Sequence, residues 1–337
     1  MKKLLLILFV AAGMVSCENF DIEHPDFDYT SGYFPYQFPV RTLVLGDYIY
    51  DNTNDNAGKF VISVAMGGIY ENTIDRKFAI EVDNSLCNNI RFNQGGDAIV
   101  ALPSNYYTLS SNSEIVIPNG KMNGGIEVQL TEAFFADPKA IKNTYVVPIR
   151  LKSSSDVDSI LSGSSLVANP DVRIASQWIN APKNFTMFAV KYINEYHGNY
   201  FHYGSNKVKD AAGAEVETTT YSTPYVENNA VAKLTTTARY QVTLPTTFRS
   251  TKITGNYNLV LTFSGNNITV SAPAGSPYTI SGTGVFVAKK YDWGNKKRDG
   301  IELTYKVANA TYTYEATEVL VARDRAVVME VYNPVLF

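Results

Sequence analysis

Tyr257-Asn-Leu-Val-Leu-Thr-Phe263 and Asn267-Ile-Thr-Val-Ser-Ala272 flank the short polar connection Ser264-Gly-Asn266. Tyr257, Leu259, Leu261 and Phe263 fall at every second position, the period of a half-buried strand, and the glycine-containing triplet supplies a tight turn. Working outward, strand character recurs at His197–Tyr203, Tyr221–Val226, Ala230–Thr237, Arg239–Pro245, Gly282–Lys290, Gly300–Val307, Tyr312–Ala322 and Ala326–Tyr332. About ten strands joined mostly by short polar turns predict an up-and-down meander. Such a chain manages its edges by closing into an antiparallel barrel or by folding into a two-layer sandwich.

The N-terminal half carries a second set. Lys59–Ala65, Lys77–Val82, Glu114–Pro118, Gly125–Leu130 and Tyr145–Leu151 read as strands, with turn signals at Gly67-Gly68, Gly95-Gly96, Asn119-Gly120 and Asn123-Gly124-Gly125. Tyr33–Val40 and Arg41–Leu45 are extended and punctuated by proline, and one short helix is expected around Thr131–Ala140. Short strands at this spacing predict an immunoglobulin-like sandwich. The composition agrees with an all-β chain: 23 Tyr and 17 Phe accompany only 2 Trp, and aromatic side chains pack well on a pleated surface. The Ser-rich stretch Lys152–Pro170 is the expected boundary or long surface loop, which divides the chain into a sandwich over 32–175 and a barrel or sandwich over 176–337.

At the extreme N-terminus, Met1-Lys-Lys is followed by an apolar run from Leu4 to Val15 and then Ser16-Cys17. The run is too short to span a bilayer core of about 30 Å and reads as a signal peptide over residues 1–16. Met14-Val-Ser-Cys17 resembles the bacterial lipobox, which implies lipidation of Cys17 and an outer-membrane, surface-exposed location. Glu18, Asp21, Glu23, Asp26 and Asp28 make residues 17–31 an acidic tether. With Cys17 so used, Cys87 has no intramolecular partner, which excludes a disulfide framework and a cysteine zinc site. Cys87 is expected as a small buried hydrophobe.

The net charge of −3 offers no clustered cations for phosphate neutralisation, so no nucleic-acid partner is expected. Three His are present, and His197 and His202 sit an odd number apart, on opposite faces of a strand, so no metal or cofactor site is expected. Glycoside hydrolysis needs two carboxyl groups about 5–10 Å apart. Glu195, Glu302 and Glu315 are candidates for such a pair, but nothing in the sequence selects them over surface charges. Gly282-Thr-Gly284 lacks the strand-to-helix context of a phosphate loop and reads as a bulge or close sheet approach.

Tyr36-Gln-Phe-Pro-Val-Arg-Thr-Leu43, Met66-Gly-Gly68, Leu102-Pro-Ser-Asn-Tyr-Tyr-Thr-Leu109, Ile115-Val-Ile-Pro-Asn-Gly120 and Leu130-Thr-Glu-Ala-Phe-Phe-Ala-Asp-Pro138 carry a resemblance, continued by Tyr145–Ile149 and Val190–Asn194. The N-terminal half is similar to the domain of unknown function that precedes the catalytic barrel in some surface endo-glycosidases of Bacteroidetes glycan-utilisation loci. Through Tyr196–Tyr200, Ser281–Gly284 and Arg323-Asp-Arg325, the C-terminal half resembles an uncharacterised β domain that accompanies it. The resemblance implies a lipoprotein at the cell surface in the company of a glycan importer. A catalytic barrel, typically about 250 residues of alternating strand and helix, has no room in residues 176–337.

Sugar sites combine an aromatic platform with planar polar side chains. Lys290-Tyr-Asp-Trp-Gly-Asn-Lys-Lys-Arg-Asp-Gly300 has that make-up, which makes Tyr291, Asp292, Trp293, Asn295 and Arg298 the candidate ligand-binding residues on an expected loop. Of Tyr106 and Tyr107, one ring is expected in the core and one outside, and Trp178 is expected in packing. Arg323-Asp324-Arg325 reads as a fixed ion pair in preference to a site for anionic sugar. The expected function is a non-catalytic, lipid-anchored surface protein that binds or presents glycan to a neighbouring uptake system. The alternatives are a structural or adhesive subunit binding host or partner proteins and, third, a small glycoside hydrolase.

Overall fold

The computed structural model describes residues 27–337, so the signal peptide, Cys17 and most of the tether expected over 17–31 lie outside the described residues. Among the described residues no helix is long and apolar enough to cross a membrane.

Strand Lys59–Gly67 shows how the first half becomes layered: Phe60, Ile62, Val64 and Met66 are buried while the residues between them are not. It lies in a five-stranded sheet ordered Ser159–Ile160, Ser31–Tyr33, Lys59–Gly67, Asn123–Leu130, Tyr107–Leu109. Facing it, a seven-stranded sheet runs Glu330–Val331, Pro39–Val44, Phe185–Ile193, Tyr145–Ser153, Arg76–Val82, Glu114–Ile117, with Val100–Ala101 also on Tyr145–Ser153. The two sheets enclose a core that includes Phe34, Ile62, Phe78, Ile115, Val147 and Tyr192. Phe78 crosses the gap to Ser31–Tyr33, where a Cβ on Gly32 would lie 2.0 Å from its ring. A second core, including Leu86, Cys87, Phe92, Val146, Phe185, Met187 and Tyr332, covers the outer face of the larger sheet. Burial on both faces explains why Tyr145-Val-Val-Pro-Ile149 shows no alternation.

The expected domain boundary at 175/176 falls later in the structure. Phe185–Ile193 is a central strand of the first domain, antiparallel to Tyr145–Ser153 and parallel to Pro39–Val44. The Ser-rich stretch is an edge of that domain, where Ser159–Ile160 pairs with Ser31–Gly32. A polar edge and a polar linker have the same composition, so the sequence did not separate them. The strand expected over Ala326–Tyr332 also returns to the first domain: Glu330–Val331 pairs with Pro39–Val40, and Tyr332 donates its hydroxyl to the Met187 carbonyl at 2.7 Å.

The second domain resolves the alternative between barrel and sandwich. Gly198–Asp210, Ala230–Ala238, Gln241–Thr247, Asn256–Ser264, Asn267–Ser271, Thr279–Trp293, Lys296–Ala308 and Tyr312–Asp324 are each antiparallel to the next. The last strand pairs back along the first, Tyr200 opposite Ala322 and Asp210 opposite Tyr312, so the barrel closes on eight strands. Glu215–Tyr221 pairs beside the far half of the first strand. The strand expected over Tyr221–Val226 is instead its last residue, followed by a turn into the short helical segment Val226–Asn228. Gly282 makes the expected close sheet approach, because a Cβ there would lie 2.5 Å from the Thr304 carbonyl.

This division has a direct test. Residues 195–326 are expected to fold alone, with a β-rich circular dichroism spectrum and one cooperative unfolding transition. Residues 178–337 carry Phe185–Ile193 without the sheet that covers it and are expected to aggregate. A soluble 178–337 fragment as stable as 195–326 would contradict the assignment of that strand.

Candidate functional site

Residues 290–300 form the tip of a hairpin, not a loop. Tyr291 pairs with Arg298, Asp292 with Lys297 and Trp293 with Lys296. Gly294 and Asn295 turn the chain with φ of 59° and 57°, the left-handed geometry of a two-residue hairpin turn. Asn295 therefore serves as an exposed turn residue. Trp293 lies back on the barrel wall: its ring meets Phe201 edge-on with centroids 5.0 Å apart, and its indole N–H donates to the Ala322 carbonyl at 2.9 Å. The Arg298 guanidinium sits 4.4 Å from the Trp293 ring centroid. One face is thus occupied and one edge anchored, so Trp293 staples the hairpin and is not an open platform. Tyr291 donates to Glu302 at 2.8 Å, and burial together with that bond pushes its phenol pKa up. Asp292 pairs with Lys297 at 2.7 Å in solvent.

Of those five residues, Arg298 lines a cleft of about 830 Å³ between the barrel mouth and the first domain. Small-molecule sites commonly span about 300–1,000 Å³. Tyr200 and Phe286 supply apolar lining from the barrel, and Tyr48, Ile49 and Tyr50 project from the first domain. Tyr48 and Tyr50 meet edge-on with centroids 5.4 Å apart, while Ile49 is 75% and Tyr50 68% exposed. At the same end of the barrel, Tyr196 stacks on Phe263 at 3.4 Å and meets Phe286 edge-on.

Two cations tie the domains together at this cleft. Lys289, in left-handed backbone at a break in the hairpin register, forms an ion pair with Asp47 and lies 3.6 Å from Asp299. Arg325 donates to the carbonyls of Asn194 at 2.6 Å, His197 at 2.8 Å, Leu45 at 2.9 Å and Asp47 at 2.8 Å. This corrects the reading of Arg323-Asp324-Arg325 as a fixed ion pair. The strand ends at Asp324, so alternation no longer places Arg325, which turns away to bind carbonyls. Arg323 approaches Asp324 only at 3.5 Å, with both side chains 45% exposed.

The remaining chemistry-bearing residues are held elsewhere. Glu302 is paired with Lys290, and Glu315 lies 2.9 Å from both Lys209 and Lys306; Glu195 lines the cleft. His197 accepts the Thr236 backbone N–H at Nδ1, 3.1 Å away, and burial lowers its pKa to about 4. His202 is buried against Glu318 inside the barrel, Nε2 to Oε2 2.9 Å. No group of three or more His, Cys, Asp or Glu gathers among the described residues. Cys87 is buried, and its thiol is pushed up to about 12 by that burial. Tyr106 and Tyr107 are both half-buried against the core, because Tyr106 ends a helical turn and strand alternation does not govern the pair. Trp178 is half-buried, its indole donating to the Asp171 carbonyl at 2.8 Å.

Asp47–Tyr50 was not among the residues expected at a site. Its signal was present: two tyrosines and an isoleucine inside Gly46-Asp-Tyr-Ile-Tyr-Asp-Asn52, where a loop would ordinarily be polar.

Residues 195–326 match the family model for a domain of unknown function, DUF5627, and residues 27–158 match a model described as an N-terminal domain. The crystal structure of a Bacteroides ovatus protein of unknown function is 34% identical with a TM-score of 0.86, covering 92% of this chain and 100% of that one. A multidomain Bacteroides ovatus protein including DUF1735 is 11% identical with a TM-score of 0.44, over 87% of this chain and 94% of that one. A protein of Bacteroides ovatus ATCC 8483 described as a candidate carbohydrate binder is 15% identical with a TM-score of 0.29, over 82% and 81%. Those two likenesses are too distant to bear on function. No curated protein matches the sequence.

Proposed function

Since the chain belongs to one family with the Bacteroides ovatus protein of unknown function and ends in a DUF5627 domain, we propose that it is a non-catalytic surface lipoprotein that binds glycan in the cleft between its two domains. The observation that carries this reading is the composition of the cleft. Tyr48, Tyr50 and Phe286 offer ring faces and edges to the C–H faces of sugars, and Lys289, Arg298 and Asp299 stand beside them as hydrogen-bonding partners for hydroxyls. The Cys17 lipid would hold the sandwich at the membrane, and the cleft would present its ligand to a neighbouring importer.

Affinity electrophoresis against a panel of host and plant glycans tests the reading, with a digestion assay alongside. Retardation by at least one glycan without turnover is expected. Binding to none removes the function, and release of sugars by the pure protein overturns its non-catalytic character. Anchoring is tested separately: Cys17→Ala is expected to shift the protein from the membrane to the soluble fraction, and unchanged membrane retention would refute the lipid anchor.

A further inference from the structure

Building on the reading of the cleft as a glycan site, we infer that the sugar it selects is acidic, bearing carboxylate or sulfate groups. The chain as a whole carries a net charge of −3, yet six cationic side chains line this cleft against four carboxylates. Of the four acids, Asp47, Asp299 and Asp324 lie beside cationic side chains, while Glu195 has none within ion-pair distance among the described residues. Lys289 pairs with Asp47 and lies 3.6 Å from Asp299, and Asp324 accepts from the Asn199 side chain and lies 3.5 Å from Arg323.

Of the six cations, Lys297 pairs with Asp292 beside the cleft, while at least two have no carboxylate partner. Among the described residues, neither Lys296 nor Arg298 has a carboxylate within ion-pair distance, and Arg325 is held by carbonyl oxygens. The Arg298 guanidinium lies over the Trp293 ring, and its buried Nε has no hydrogen-bond partner. A guanidinium held against an aromatic ring is preorganised for bidentate contact with a carboxylate or sulfate, and an ordered arginine loses little entropy on binding. A neutral sugar would leave this charge unanswered, whereas an acidic one next to the Tyr48 and Tyr50 rings would satisfy both parts of the cleft.

Titration of the full chain with four polymers tests the inference: polygalacturonate, its methyl ester, dextran sulfate and dextran. At least one acidic polymer is expected to bind tenfold or more tighter than its neutral counterpart, and the preferred arm distinguishes carboxylate from sulfate. Lys296→Gln and Arg298→Gln are each expected to reduce that preference at least threefold without changing the circular dichroism spectrum; Lys296 is exposed and supports no packing, so its variant stays informative if Arg298→Gln fails to fold. Equal binding of acidic and neutral forms overturns the inference and leaves the glycan reading standing. Acidic binding unaltered in both folded variants overturns the site, since it would reflect indiscriminate attraction. Binding to none of these polymers and none of the wider panel overturns both.

Discussion

Glu318→Ala is expected to destabilise the protein by about 3 kcal/mol, the cost of leaving two buried hydrogen-bonding groups without their acceptor. Glu318 is 1% and His202 3% exposed, with Nε2 and Oε2 2.9 Å apart, and Tyr221 donates its hydroxyl to the other carboxylate oxygen at 2.6 Å. Removing the carboxylate leaves an imidazole and a phenol inside the barrel with no acceptor. Burial by itself would push the Glu318 carboxyl up, but contacts from His202, Tyr221 and Tyr305 outweigh it and hold the pKa below the usual glutamate range. A lowered folded-state pKa means that the contribution is complete above the unfolded value of about 4.3 and is lost as pH falls through the folded value. The deficit of Glu318→Ala should accordingly be full at pH 7 and shrink in acid. Urea unfolding at several pH values measures it, and a loss below about 1 kcal/mol at pH 7 would contradict the pairing. The double variant His202→Leu/Glu318→Leu is expected to lose less than Glu318→Ala, because the imidazole is then removed with its acceptor and only the Tyr221 hydroxyl is left without one.

Phe78→Ala is the counterpart in the sandwich, with an expected loss of about 3–5 kcal/mol. The ring is fully buried and spans from Arg76–Val82 to Gly32 in the opposite sheet, so truncation opens a cavity where the two layers meet. Gly32→Ala probes the same contact from the other side, since its Cβ would lie 2.0 Å from the ring; overpacking of this kind costs about 1–3 kcal/mol. Denaturant midpoints decide both, and a Phe78→Ala protein as stable as the parent would mean that the layers are not held together there.

What the sequence revealed and what it hid follow from the range of the interactions. Tyr257–Phe263 and Asn267–Ser271 were legible because each strand's partner is its neighbour and the alternation repeats on both. Closure of the barrel was not, because it depends on Gly198–Asp210 meeting Tyr312–Asp324, a pairing that no local pattern records. Phe185–Ile193 is buried on both faces, so its apolar run carries no mark of the sheet it joins. In the hairpin tip, the aromatic and polar composition that suggested a binding loop instead serves a staple: Trp293 is occupied by Phe201, Arg298 and the Ala322 carbonyl. The cleft was hidden for the same reason as the barrel seam. Asp47 meets Lys289, and Leu45 meets Arg325, only after both domains have folded.

The central claim is that the cleft between the domains is where glycan binds, and calorimetric titration of Tyr50→Ala with the glycan the parent protein prefers tests it most directly. Tyr50 is 68% exposed at the rim, so its removal should leave the fold intact. Loss of an aromatic anchor commonly costs about 2 kcal/mol or more, which corresponds to affinity at least about 30-fold weaker. A folded Tyr50→Ala protein that is weakened to this extent is the predicted result. Parent-like affinity in both Tyr50→Ala and Tyr48→Ala would contradict the account and place the site elsewhere.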